Sequence, residues 1–316
     1  MAYRYDSYFQ YLRFLLNAHI LNPFWKGRLE RRARRNYYNY RRVAHYLKKR
    51  YGDFVEGLSI NGDNHATGKE PYDGEEKIFS IWFQGEENAP QLVKVCFERL
   101  RKVYGERFIV LNEKTLGDYL KLPEHIIKKR AEGKIPNAHF SDICRVALLY
   151  RHGGLWFDST DFITAPAPQW IWDAEMFMFR DGPRFTPQKF IQSCFMRARK
   201  GNPFLKSLLD FLFEYWKHED RLIDYFLLHF MIRYMVDNNK ALNKIFYEMP
   251  QVEQTPTHLL WHLHNEESYS DELYLECTKD TFFQKTTFKF DSANNPPENS
   301  VAYHIVNRLI KDPVSL

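Results

Sequence analysis

Little in this chain points to a disulfide, zinc or membrane-spanning architecture. Only four of its 316 residues are cysteine, and Cys96, Cys144, Cys194 and Cys277 lie far apart with no C-x-x-C pair. That spacing argues against a zinc ribbon and a thioredoxin-type motif. Cys96 and Cys144 fall among apolar residues of predicted helices, where buried free thiols are expected. The longest apolar stretch near the start, Phe14–Ile20, is far short of the roughly 20 residues a spanning helix needs. The N-terminus also lacks a basic start followed by an uninterrupted apolar run, so no secretory leader is expected and a bacterial-type cytoplasmic location follows. No internal repeat is evident. Neither a zinc-finger, an RNP nor a helix-turn-helix signature is found, so nucleic acid is not an expected partner. His258, His262 and His264 crowd one segment, but their spacing does not match H-E-x-x-H.

What is abundant is apolar and aromatic. A hydrophobic content of 44%, with 17% aromatics, supports a substantial core and excludes wholesale disorder. The formal charge of +5 is modest but uneven, because the run of Arg and Lys from Arg28 to Arg50 contains a single acid, Glu30. Tyr37, Tyr38, Tyr40 and Tyr46 interleave with it. Such a face is either simply solvated or suited to peripheral contact with anionic lipid at the inner face of the plasma membrane.

Residues 1–60 read as a helical, basic extension: Tyr8, Leu12, Leu15 and Leu16 recur near helical spacing, with an interruption at Pro23 and Gly27. A polar segment around Asn61–Gly74 reads as a linker (61–76), and a single catalytic domain is expected over 77–316. From Lys77 the pattern alternates strand (77–83), helix (90–104), strand (107–111), helix (123–132), helix (138–152) capped by Asn137, and strand (155–158). Strands separated by such helices predict βαβ units, a largely parallel sheet and an α/β fold. Further on, strands are predicted at 176–180 and 190–196, helices from Asn202-Pro203 through Trp216 and over 223–236, and strands at 286–290 and 301–305.

The densest chemistry lies in Ser141-Asp-Ile-Cys-Arg145 and, after five residues, Gly153-Gly154-Leu-Trp-Phe-Asp158. Asp142 and Arg145 stand one helical turn apart, the glycines break the helix, and a short apolar strand ends in a carboxylate. Such an arrangement can bring Asp142, Arg145 and Asp158 together where open α/β sheets bind ligands. Asp158 with Asp161 can reach one hard divalent cation, or either can cap the next turn. Asp142 and Arg145 can equally form an ion pair worth about 0.2–0.5 kcal/mol. Trp82, late in the first strand, either stacks on a nucleobase or fills the core.

Taken together, Ile81-Trp-Phe-Gln-Gly85, Ala89-Pro90, Lys129, Ser141-Asp-Ile-Cys-Arg145, Leu148-Leu149-Tyr150, Gly153-Gly154-Leu-Trp-Phe-Asp158 and Asp224-Tyr225-Phe226 resemble the capsular polysaccharide synthesis family of bacterial glycosyltransferases. That family is similar to the glycosyltransferases with a D-x-D sugar-binding motif, and the resemblance covers roughly residues 77–310. It implies a GT-A type, Rossmann-like mixed sheet flanked by helices. It also implies Mn²⁺ or Mg²⁺, a nucleotide diphosphate sugar donor (UDP-sugar first), a glycan or lipid-linked acceptor, and retention at the anomeric carbon. Carried over by position, Trp82 stacks on the base, Asp142 holds ribose or sugar hydroxyls, Arg145 contacts sugar or diphosphate, and Asp158 binds metal. His304 and Asp161 join as metal ligands, and Asp224 joins Asp158 and Arg145 as catalytic. Gln84, Lys129, Ser141, Gly153, Gly154 and Tyr225 complete the expected substrate contacts. One departure from the pattern is plain: Thr160 stands in the second D-x-D place, and Asp161 follows one position later. On a regular strand Asp161 would face away from Asp158 unless the chain turns. The rival readings are a metal-dependent nucleotide-sugar hydrolase or nucleotidyltransferase using the same carboxylates, and a non-catalytic membrane-associated assembly protein.

Overall fold

The computed structural model of the protein describes residues 23–59, 76–181, 190–263, 267–290 and 295–310. The pattern at Tyr8–Leu16, the linker segment Asn61–Gly74 and His264 lie outside the described residues, as do the side chains of Arg28–Tyr38.

The first helix among the described residues, α1, runs unbroken over Pro23–Gly57. Pro23 starts it, at the end of a helix where a missing N–H costs nothing, and Gly27 is absorbed within it; the predicted interruption is not seen. Tyr40, Val43, Leu47, Tyr51 and Val55 recur every three or four residues and are all buried, the signature of an amphipathic helix seated on a core. Arg41, Arg42, Lys48 and Lys49 remain exposed on its other face.

A five-stranded mixed sheet follows. Its strands are β1 (Ile78–Ile81), β2 (Phe108–Leu111), β3 (Gly154–Phe157), β5 (Met176–Arg180) and β6 (Ile191–Ala198), in the order β2-β1-β3-β6-β5. β1 runs parallel to β2 and β3, whereas β6 is antiparallel to both β3 and β5. The helix α2 (Gln91–Tyr104) joins β1 to β2, then α3 (Glu124–Ala131) and α4 (Asn137–His152) lead to β3 on the other side of β1. The chain thus leaves β1 in one direction and returns in the other, and this reversal opens a crevice at the carboxyl ends of β1 and β3. A separate two-stranded ladder pairs β4 (Asp161–Ile163) with β7 (Phe283–Lys285).

Helices α5 (Pro203–His218), α6 (Leu227–Asn238) and α7 (Lys240–Glu248) pack with α1 and α4 on one face of the sheet, and α2 covers the other. Asn202 caps α5 by accepting from Leu205 N at 3.1 Å, with Pro203 pre-set in the first turn. Asn137 does not cap α4: it is the first helical residue, behind Pro136. Past α8 (Asp271–Thr278) the predicted strands at 286–290 and 301–305 fail. The strand forms just earlier, at Phe283–Lys285, and Val301–Val306 is a short helix capped by Ser300. All four cysteines are buried and free, as expected for Cys96 and Cys144; burial pushes the Cys96 thiol up to about 12. No helix among the described residues is long and apolar enough to cross a membrane.

Candidate functional site

Successive residues of a strand point to opposite faces, and β3 uses this alternation to build the site. Leu155 and Phe157 enter the core beneath α2, while Trp156 enters the core beneath α4. Asp158, the next residue on the Trp156 face, sits just beyond the strand end, where its Oδ1 accepts the Trp156 indole N–H at 2.9 Å. The helix α4 lies over this face. Its Arg145 guanidinium stands 4.9 Å above the Trp156 ring, and one terminal nitrogen reaches Asp158 Oδ1 and Asp142 Oδ1, each at 3.2 Å. The other donates to the Ser193 carbonyl of β6. The anticipated Asp142–Arg145 ion pair is therefore present, and it also holds the strand tip.

A second cation completes the cluster. Asp161 and Lys285 are direct partners across the β4–β7 ladder. The Lys285 ammonium lies 2.8 Å from Asp158 Oδ2 and 3.2 Å from Asp161 Oδ1. The chain does turn between the two carboxylates: Asp161 N donates to the Asp158 carbonyl, and Asp161 Oδ2 accepts from Asp158 N at 3.0 Å. Asp161 thereby faces back toward Asp158 and is wholly buried.

Environment splits the two acids. Burial opposes the charge on Asp158, but Arg145 and Lys285 outweigh it and hold the carboxyl below the usual range. For Asp161, burial and the neighbouring Asp158 charge outweigh Lys285 and push it up to about 7. Burial also opposes charge on Lys285, yet Asp158 and Asp161 more than offset it and raise the ammonium above its ordinary value.

With the folded value of Asp161 raised from 3.8 to about 7, the folded chain holds a proton that the unfolded chain releases across that window. Its contribution to stability therefore falls as pH rises from about 4 to about 7, then levels off. Asp161→Asn should remove this slope, so melting curves at pH 5 and pH 8 should show the variant gaining on the wild type as pH rises. Parallel trends would mean that Asp161 does not titrate there.

The cluster forms one wall of a cleft of about 700 Å³ lined also by Trp82, Gln84, Ser141, Tyr225 and Trp261. Trp82 meets Phe288 edge-on, with ring centroids 5.5 Å apart. Its buried indole N–H has no partner among the described residues. Of the residues anticipated from sequence, Trp82, Gln84, Ser141, Asp142, Arg145, Asp158 and Tyr225 all reach this cleft.

Five anticipated residues do not line it, besides the buried Asp161. The Lys129 ammonium binds the Glu219 carbonyl at 2.8 Å and Asp220 at 3.0 Å, tying α3 to the turn after α5. Asp224 accepts from Phe226 N at 2.9 Å and so caps the turn before α6; that helix starts at Leu227, later than predicted. Gly153 and Gly154 stand at the opposite end of β3, a strand of four residues and hence roughly 13 Å long, where their role is in the backbone. His304 lies in the Val301–Val306 helix, stacked on Tyr269 with centroids 4.1 Å apart.

Sequence reading missed Lys285 and Ser193, together with His229, whose Nε2 lies 3.4 Å from Ser193 Oγ. It also gave no binding role to Trp261 or His258. Only the pairing of β4 with β7, some 120 residues apart, gives Lys285 its place, and no local spacing encodes it.

A divalent cation does not fit this arrangement. Both carboxylates named for it share the Lys285 ammonium, Asp158 is further engaged by Arg145 and Trp156, and His304 is elsewhere. Among the described residues no group of three His, Cys, Asp or Glu side chains could hold a metal ion. Hard divalent cations prefer several oxygen ligands, and an ammonium 2.8 Å from the main one would oppose them.

Comparison with known proteins adds to this geometry. The family described as "Capsular polysaccharide synthesis protein" matches residues 25–305. The curated "O-glycosyltransferase braB" of Annulohypoxylon truncatum is 22% identical over 166 residues, covering 47% of this chain and 39% of that protein. The match thus spans well under half of that relative's length. No solved structure matches the chain.

Proposed function

Because the chain belongs to the capsular polysaccharide synthesis protein family, we propose that it is a glycosyltransferase. It moves a sugar from a nucleotide diphosphate donor, UDP-sugars being the first candidates, to a glycan or lipid-linked acceptor. One observation carries this reading. An aromatic side chain, Trp82, and a cluster of two cations, Arg145 and Lys285, line one cleft at the neighbouring tips of β1 and β3. Open α/β sheets bind ligands at such a reversal of strand order, and a donor of this class has a flat base at one end and a dianionic diphosphate in the middle. The distant relative named as an O-glycosyltransferase supports the same class.

In this reading the donor base lies against Trp82 and the diphosphate against the Arg145–Lys285 wall. During transfer the bond from the anomeric carbon to the phosphate oxygen breaks, and its electron pair stays with the departing diphosphate. An acceptor hydroxyl oxygen bonds to the carbon, and its proton passes to the departing diphosphate oxygen. Cations already held in place stabilise the charge that develops on the leaving group, with no reorganisation required at that moment. Asp158 and Asp142 hold the Arg145 guanidinium in position, and Asp158 with Asp161 holds the Lys285 ammonium.

The direct test incubates purified protein with nucleotide sugars, with and without glycan acceptors, and follows product by mass. Transfer that requires acceptor supports the assignment; release of free sugar indifferent to acceptor would instead make it a hydrolase. Trp82→Ala should raise the donor KM about tenfold while leaving kcat nearly unchanged, since stacking on a base is worth about 1–3 kcal/mol. An unchanged KM would return Trp82 to a packing role.

A further inference from the structure

The ammonium between the two carboxylates has a consequence beyond group transfer as such. Asp161 and Lys285 are locked opposite each other on a ladder, so the lysine backbone cannot move aside without breaking that pairing. Its ammonium has three N–H donors; two face Asp158 Oδ2 and Asp161 Oδ1, and the third has no partner among the described residues. Lys285 nevertheless lines the cleft, as does Arg145, and both contact Asp158. Four residues on, the exposed Lys289 also lines it. The position between the carboxylates, where a divalent cation would be expected to bridge protein and diphosphate, already holds a fixed positive charge with one free donor.

We propose that Lys285 takes over the work of a divalent cation: its ammonium contacts the donor diphosphate directly and makes nucleotide binding independent of metal. This rests on the donor reading above. The two carboxylates then serve as anchors for a cation that is part of the chain.

The test screens UDP, GDP, ADP, CDP and dTDP for binding to the full-length protein by calorimetry and carries the two tightest forward, once in EDTA and once with Mn²⁺, alongside Mn²⁺ binding followed by electron paramagnetic resonance. Wild type should bind the better of the two nucleotides equally, within about twofold, in EDTA and Mn²⁺, and should take up no stoichiometric Mn²⁺. Lys285→Ala should lose at least tenfold in affinity in EDTA, while Lys285→Arg, which keeps a cation, should recover most of it. Thermal melting confirms that each variant is folded. If Lys285→Ala does not fold, Lys285→Gln supplies the same comparison. Nucleotide affinity that rises tenfold or more with Mn²⁺, stoichiometric Mn²⁺ uptake by wild type, or full affinity in Lys285→Ala would overturn this proposal alone. Failure of wild type to bind UDP, GDP, ADP, CDP and dTDP under both conditions would overturn the donor reading, and this proposal with it.

Discussion

Gly154→Ala is expected to lower the melting temperature by at least about 5 °C, or to prevent folded protein from accumulating. Gly154 adopts φ +98°, and a Cβ built on it would stand 1.9 Å from the Lys77 carbonyl oxygen. That oxygen is main chain and cannot swing aside. It also accepts the hydrogen bond from Leu155 N that begins the pairing of β3 with β1, at 3.0 Å. Alanine therefore carries two costs: roughly 1–2 kcal/mol for a side chain in left-handed backbone, and the separation of two central strands. Together these should exceed about 3 kcal/mol, a large part of the 5–15 kcal/mol that ordinarily holds a fold, and in a chain of this size each kcal/mol shifts melting by about 1.5 °C. Gly105 is the internal control: it also has positive φ, +58°, but nothing lies within 4 Å of an added Cβ. Gly105→Ala should cost only the backbone term. A Gly154→Ala protein that melts with the wild type would show that β1 and β3 do not meet as described.

The second large effect is on chemistry. Asp158→Asn should reduce sugar transfer about a hundredfold or more, with secondary structure retained. Its carboxylate is the shared partner of Arg145 and Lys285, and both ion pairs are largely shielded from water. Asparagine still offers an oxygen to the Trp156 indole, but it removes the charge that orients both cations. Misplacing a reacting or stabilising group by about 1 Å can cost a hundredfold in rate. Removing one partner of a buried pair also costs about 3–5 kcal/mol, partly recovered here because Asp161 can then ionise beside Lys285. Transfer and circular dichroism measured on the same preparation separate the two effects. A folded variant with near wild-type transfer would remove Asp158 from the mechanism.

The strength of the sequence reading follows a physical division. Where a segment buries one continuous face, its pattern is local and survives: β5 forms over Met176–Arg180 as predicted, and α5 begins behind the Asn202-Pro203 signal. The contribution of β3 to the site was legible because Trp156 and Asp158 share a face by simple alternation. Legibility ended wherever a partner distant in sequence decides the outcome. Val301-Ala-Tyr-His-Ile305 is rich in β-branched and aromatic residues and reads as a strand, but no strand among the described residues pairs with it, and Ser300 caps it as a helix instead. His304 was lost to the site for that reason. Lys285 was invisible for the converse reason, since its meaning comes wholly from standing opposite Asp161. Gly153 and Gly154 were correctly singled out as helix breakers but given substrate contacts, because a motif does not reveal which end of a strand faces the ligand.

The first helix carries a practical consequence. Although the sequence sets residues 1–60 apart as an extension, Tyr40, Val43, Leu47, Tyr51 and Val55 belong to the same buried cluster as Phe211, Tyr215 and Tyr234, and the Tyr51 hydroxyl is bonded to Glu219 at 2.8 Å. A crystallographer trimming the gene to its sheet-forming portion would strip the lid from that interior and recover sticky, poorly behaved material. Boundaries for shortened versions belong upstream of Tyr40.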